Sequence, residues 1–244
     1  DDHLRMGGIK LLLDGALGSR GAWLKADYAD APGQRGLRMI PDTQLRNIMS
    51  RAAMDNFQVA MHAIGDAANG EALDAIQELA ETYKGDRRWR IEHAQIIDPA
   101  DLPRFGPLGV IASMQPVHMD PAYLQNWIAM VGQERANHGF AWPLHVAAGS
   151  VLAFGTDAPT TPHWSLPNMY IAATRKSPVD DALPALRPDW ALPLEEAIVH
   201  GTRDSAAGCL ADLDPGLAQM LQASTEVQFL DTGHHRMTPG ITTM

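Results

Sequence analysis

Cys209 is the only cysteine in the chain. A disulfide framework is therefore excluded, and so thiol-poor a chain fits a reducing compartment; the cytoplasm is expected. No apolar run approaches the roughly 20 residues a membrane-spanning helix needs, so no membrane partner is expected. Positive charge is scarce: 19 Lys and Arg stand against 29 Asp and Glu, a formal net charge of -10. That balance argues against nucleic acid or an anionic membrane surface as the main partner. The sequence also has no Gly-x-Ser-x-Gly elbow, phosphate loop, dinucleotide fingerprint or Cys-x-x-Cys pair, which leaves those catalytic classes without a motif. The chain opens Asp1-Asp2-His3. It shows no basic and apolar leader, so no secretory signal is expected; it also lacks an initiator methionine, so residues upstream are expected.

What is present is a pattern of short apolar strands, each followed by a helix. With 244 residues, 45% of them hydrophobic, the chain can bury one sizeable core. Strands are expected at 8–13, 58–62, 88–93, 109–114 and 151–155. Helices are expected at 43–56 (Leu45, Ile48, Met49, Ala52 and Ala53 at helical spacing, Asp42 as N-cap), 67–83 (Ala72, Leu73, Ile76, Leu79), 98–105, 121–131, 142–148, 166–175 and 194–202. Continuous rather than alternating apolar strands belong to a parallel sheet covered on both faces. Residues 27–41 and 176–193 read as Gly/Pro-rich loops. Beyond Leu210 no clear strand–helix unit follows; Val227–Leu230 can form one edge strand, and His234-His235 reads as part of a solvated tail.

The chemistry sits at the strand ends. The stretches QVAMHAIGD, RIEHAQ and VLAFGTDAP each deliver a metal-type ligand where the strand stops: His62, His93 and Asp157. In a parallel barrel these ends share one face, where active sites form. Imidazole and carboxylate suit a divalent ion such as Zn²⁺. Asp157 has a second expected role, taking a proton from an activated water and passing it to a leaving group. Its plainer reading is the cap of an Asp-Ala-Pro turn. Asp66 reads as a helix cap, and Glu92, next to His93, should point the other way on the strand, either supporting a ligand from behind or forming a salt bridge. His118 follows the strand at 109–114 and is a candidate contact for substrate or an oxyanion, beside Gln115. Arg20 and Trp23 are candidate pocket residues. Lys10 is a lysine within an apolar strand, where burial demands a partner or a task; its plainer reading is a strand residue whose amine escapes to solvent. His3, His138, His145, His163 and His200 have no special placement.

In order along the chain, GIKLLLDGALGSR (8–20), VAMHAIGD (59–66), RIEHAQ (90–95), SMQPVH (113–118) and FGTDAP (154–159) resemble family 3 of the amidohydrolase superfamily, the metal-dependent hydrolases that include N-substituted formamide deformylases. The resemblance covers about residues 7–208. It implies a (β/α)8 TIM barrel, here apparently partial, with the strands at 8–13, 58–62, 88–93, 109–114 and 151–155 as the fourth to eighth. It also implies that His62, His93 and Asp157 are metal ligands, that the cofactor is one or two divalent ions, with zinc expected, and that Lys10 is a candidate carboxylated lysine. The family's first-strand His-x-His pair is missing, so residues 1–208 look like the C-terminal part of a member, with 209–244 a divergent tail that is either a β-sandwich remnant or disordered.

Three functions follow as expectations. The first is hydrolysis of non-peptide carbon–nitrogen bonds in a small amide or formamide-like substrate. The second is a non-catalytic half-barrel that associates with itself or with the missing half, since open strand edges seek partners. The third keeps barrel and metal but performs isomerase or lyase chemistry.

Overall fold

The computed structural model describes residues 7–124 and 126–209. Its centre is a five-stranded, wholly parallel sheet in sequential order: β1 (Gly8–Leu12), β2 (Gln58–Ala63), β3 (Arg90–His93), β4 (Ile111–Met114) and β5 (Val151–Phe154). Sequential parallel strands joined by crossovers are the wall of a (β/α) barrel, and five of them make an incomplete one. The expected strand at 227–230, the pair His234-His235, His3 and nearly all of the expected tail domain lie outside the described residues.

Helices cover the convex face. α1 (Asp42–Met54) and α2 (Asp66–Thr82) bury the expected positions Leu45, Met49, Ala52 and Ala53, and Ala72, Leu73 and Ile76. Each large aliphatic among them contributes roughly 1.5–3 kcal/mol by leaving water. Asp42 and Asp66 are the first helical residues rather than the caps, which are Pro41 and Gly65. Both acids still serve the helix start, accepting from the backbone N–H of Thr43 and Ala67 respectively.

Three expectations are corrected. The helix at 98–105 is instead a 3₁₀ turn (Leu102–Arg104) followed by α3 (Phe105–Leu108). Gly106-Pro107 does not end it, because proline in a first turn forgoes no helical bond; the stop is Gly109, at φ +64. The helix at 121–131 shrinks to α4 (Trp127–Val131), followed by α5 (Gln133–Ala136). The Asp120 carboxylate accepts from Ala122 N–H, an Asx turn that offers the backbone an alternative to helix. Finally, β1 is not buried on both faces: Lys10 and Leu12 are exposed and only Leu11 is buried.

The register explains that exposure. Lys10, Ala60, Arg90, Ile111 and Val151 lie level across the sheet, as do Leu12, His62, Glu92, Ser113 and Ala153. These two rows line the concave face, the interior of a closed barrel. Leu12 is 48% and Val151 45% exposed there. The remaining helices are α6 (Trp142–Ala147), α7 (Ser165–Thr174), α8 (Leu194–Gly201) and α9 (Arg203–Gly208); the sequence pattern did not reveal the last.

Candidate metal centre

Four candidate ligands stand at the C-terminal rim of the sheet, whereas Lys10, the third residue of β1, lies level with Ala60, one row below His62. His62 is the fifth residue of β2 and His93 the last of β3. His118 lies on the 3₁₀ turn Pro116–Met119 after β4, and Asp157 three residues beyond β5. Three of the nine described non-glycine residues with positive φ stand at the same rim. His93 (φ +75), Ala94 (φ +45) and Asp157 (φ +57) are non-glycine residues in the left-handed region. Each costs roughly 1–3 kcal/mol and persists where surrounding structure enforces it, often at functional sites.

The donor atoms of His93, His118 and Asp157 all lie within 4.8 Å of one another. His118 Nε2 is 3.9 Å from an Asp157 carboxylate oxygen. The His93 and His118 rings stack, centroids 5.7 Å apart and 14° from parallel. His62 is not in that triplet, but its ring meets the edge of His93 at 4.5 Å. The structure thus brings His118, read from sequence as a substrate contact, into the ligand group, with His62 at its flank.

Burial sets the protonation. His93 is 7% exposed, and desolvation, with lesser repulsion from His62, His118 and Lys10, depresses its pKa to about 2. Desolvation also lowers His118, against the pull of Asp157. Both rings are therefore neutral near pH 7 and keep a lone pair for a cation. His93 Nδ1 and Gln115 Oε1 are buried without a hydrogen-bond partner among the described residues. An unsatisfied buried polar atom costs roughly 1–3 kcal/mol. A convergent set of neutral imidazole and carboxylate donors, one with an orphaned nitrogen, fits a divalent metal ion.

Behind His62 stands a residue that sequence reading passed over. Asp14 is fully buried, and His62 Nδ1 lies 2.9 Å from its Oδ1. An acid directly after the apolar run of β1, at the rim that receives His62, His93 and Asp157, was the available signal. Glu92 ion-pairs with Arg90, but it shares the concave-face row of His62 rather than turning to the opposite face, because His93 leaves the strand alternation at φ +75. Lys10 projects into the concave trough, where desolvation lowers its pKa against the attraction of Glu92.

The candidate substrate contacts are scattered. Arg20 is exposed and paired with Asp30 at 2.6 Å. The Trp23 ring lies under the Arg38 guanidinium at 5.1 Å, while its carbonyl accepts from Ala67 and Ala68 at the start of α2. Gln115 is buried beside the cluster, its amide donating to Ser113 O. Among the described residues, His145 is enclosed against Phe105 and His200 pairs with Asp204, both outside the triplet.

The comparisons agree with this architecture. The sequence profile described as "Amidohydrolase family" matches residues 1–209. The chain belongs to that family. It is 34% identical over 233 residues to "Protein LONG AFTER FAR-RED 3" of Arabidopsis thaliana, covering 92% of this chain and 39% of the relative. It is 33% identical over 204 residues to "Putative amidohydrolase YtcJ" of Bacillus subtilis, covering 84% and 38%. Among solved structures it resembles an uncharacterized metal-dependent hydrolase from Pyrococcus furiosus, with TM-score 0.75 and 31% identity, covering 86% of this chain and 42% of that one. The chain therefore spans about two fifths of the length of these relatives. Among the described residues no helix is long and apolar enough to cross a membrane.

Proposed function

We propose that this chain carries the metal-binding part of a hydrolase that cleaves non-peptide carbon–nitrogen bonds in a small amide or formamide-like substrate. The observation that carries the reading is the mutual approach of His93, His118 and Asp157 at one barrel rim. Those three, with His62 alongside, would hold a divalent ion; nitrogen and carboxylate donors match Zn²⁺. When bound, such an ion supplies Lewis-acid polarisation of a carbonyl and makes water easier to deprotonate.

The protein's own side chains handle protons and orientation. Asp157, more exposed than His118 beside it, accepts the proton of the attacking water and returns it to the leaving nitrogen. His118 would serve in one of two ways: as a nitrogen donor to the ion or, if the ion is held by the other residues, as a neutral ring whose N–H donates to the oxygen that gains charge. Gln115 closes the wall beside His93, and Arg20 and Trp23 lie on the loop after β1 that borders the rim. A lysine with a lowered pKa, such as Lys10, offers the neutral amine that reacts with CO₂; as a carbamate it would add an oxygen donor to a second ion.

Metal analysis of the purified chain, followed by hydrolysis assays on N-formyl and N-acyl amines, tests this reading. Stoichiometric metal that falls in His62→Ala and in Asp157→Asn supports it. Unchanged hydrolysis in both variants overturns the mechanism.

A second reading has its own observation. Lys10, Leu12 and Val151 are exposed on a face that a closed barrel would fill. This favours a half-barrel that pairs with another copy or with a complementary barrel half. A monomer on size exclusion that binds stoichiometric metal contradicts it.

A further inference from the structure

Asp14 is wholly enclosed, and its surroundings define what it can do. Three main-chain amides donate to it: Trp23 N at 2.9 Å, Gly65 N at 2.9 Å, and Ile64 N shared between both oxygens at 3.1 and 3.2 Å. These amides come from two segments, the loop after β1 and the turn between β2 and α2. The backbone therefore fixes the carboxylate whether or not His62 is present. One direction from Oδ1 remains, and His62 Nδ1 fills it at 2.9 Å.

We propose that Asp14 is the positioning residue of the metal centre: it holds His62 with hydrogen on Nδ1, so that Nε2 presents its lone pair to the ion. A carboxylate pinned by amide donors accepts and does not donate, so the Nδ1 facing it must carry the hydrogen. The tautomer is thus chosen by a side chain that never touches the ion. Groups of this kind behind a metal-binding histidine typically govern 10–100-fold in metal affinity. This inference rests on the metal-site reading above, and it goes beyond it by assigning a task to a residue outside the ligand set.

Asp14→Asn changes almost no volume but divides the roles of the two atoms. The lower-cost orientation leaves the amide oxygen against Trp23 and Gly65 N–H and turns the NH₂ group towards His62. Nδ1 must then accept, the hydrogen moves to Nε2, and the lone pair is lost to the ion.

The test is the histidine ¹H–¹⁵N long-range correlation spectrum of the full metal-free chain at about pH 8, above ordinary imidazole titration. The His62 signals are identified by their loss in His62→Gln. The unsubstituted chain is expected to show the Nδ1–H pattern and Asp14→Asn the Nε2–H pattern, with Co²⁺ affinity about 10–100-fold weaker. Asp66→Asn is the control: Asp66 accepts two backbone amides at the same junction, from Lys25 and Ala67. It should leave the His62 tautomer unchanged. An Nε2–H pattern in the unsubstituted chain overturns the inference even if Asp14→Asn does not fold. An Nδ1–H pattern retained in Asp14→Asn overturns it too, as does an equal tautomer change in Asp66→Asn. Failure of the unsubstituted chain to take up Co²⁺ overturns the metal-site reading instead and leaves the tautomer result standing.

Discussion

Ser205 Oγ sits astride the backbone of Phe154, 3.1 Å from its amide nitrogen and 2.9 Å from its carbonyl oxygen. Phe154 ends β5, the last strand of an open sheet. In a closed barrel a neighbouring strand would satisfy those two groups. Here one hydroxyl on α9 stands in for it, accepting from the Phe154 amide and sharing its single hydrogen between the carbonyls of Phe154 and His200, the latter at 2.7 Å. Ser205→Ala removes that partner and should destabilise the chain by about 1–3 kcal/mol, the cost of unpairing buried polar groups. Thermal unfolding would register the loss. Metal uptake at the rim should be unchanged, because Ser205 touches no candidate ligand.

The opposite edge, along β1, has no strand partner among the described residues. Leu12 and Val151 add apolar surface to the concave face. Exposed edges and apolar patches promote self-association. Leu12→Lys combined with Val151→Lys should shift the chain towards monomer on size exclusion with light scattering. Stability should move by less than about 0.5 kcal/mol, as for surface substitutions generally. A larger loss of stability would mean that these side chains are covered within the chain.

Acid should weaken the fold through its buried histidines. His93 is depressed to about 2 and the fully enclosed His145 to about 3, in both cases chiefly by desolvation. The unfolded chain holds these groups near the ordinary pKa of about 6.5. Above that value both states are neutral and neither ring affects the pH dependence. As pH falls below it, the unfolded state binds protons that the folded state refuses, so stability declines by up to about 1.4 kcal/mol per pH unit per histidine. Urea midpoints at about pH 7.5 and about pH 5.5 should differ accordingly, by about 2–3 kcal/mol for the pair. His145→Gln should flatten that slope by about half, since His145 lies outside the metal cluster. An unchanged slope would show that His145 is charged or open to water.

The strands were legible because each is a short apolar run closed by a polar or glycine residue, and all five form. The rim residues were legible because equivalent strand ends converge in a parallel sheet. What sequence pattern did not carry was partnership across the chain. Asp14 resembles any acid in an Asp-Gly turn until the amides of Trp23, Ile64 and Gly65 are seen around it. His118 reads as a substrate contact until the 3₁₀ turn folds its ring onto His93. The exposure of β1 was signalled only by Lys10, because the rest of Gly8 to Leu13 has the composition of a fully covered strand. That strand lacks only the neighbours to cover it. α9, a six-residue helix of small and polar residues, has no apolar stripe to announce it.

The turn that builds the centre should be the least tolerant part of the chain. A Cβ placed on Gly65 would fall 1.9 Å from the Trp23 carbonyl oxygen and 2.5 Å from its carbon. That carbonyl accepts from Ala67 and Ala68 at the first turn of α2, and the Gly65 amide donates to Asp14. One methyl group would therefore push the loop after β1 off the helix start and pull an amide donor from the carboxylate that faces His62. Backbone, unlike a flexible side chain, cannot move aside locally. Gly65→Ala should cost more than about 3 kcal/mol or leave the chain insoluble, well beyond the usual loss of about 1 kcal/mol for a point substitution. Gly18→Ala is the matched comparison: it lies in the same loop, yet its added Cβ would meet nothing within 4 Å. It should be neutral or slightly stabilising, because alanine restricts the unfolded chain. Denaturant midpoints of the two variants side by side measure the difference. Equal stability would mean that Trp23 does not dock on the β2–α2 turn and that the frame proposed to hold His62 is absent.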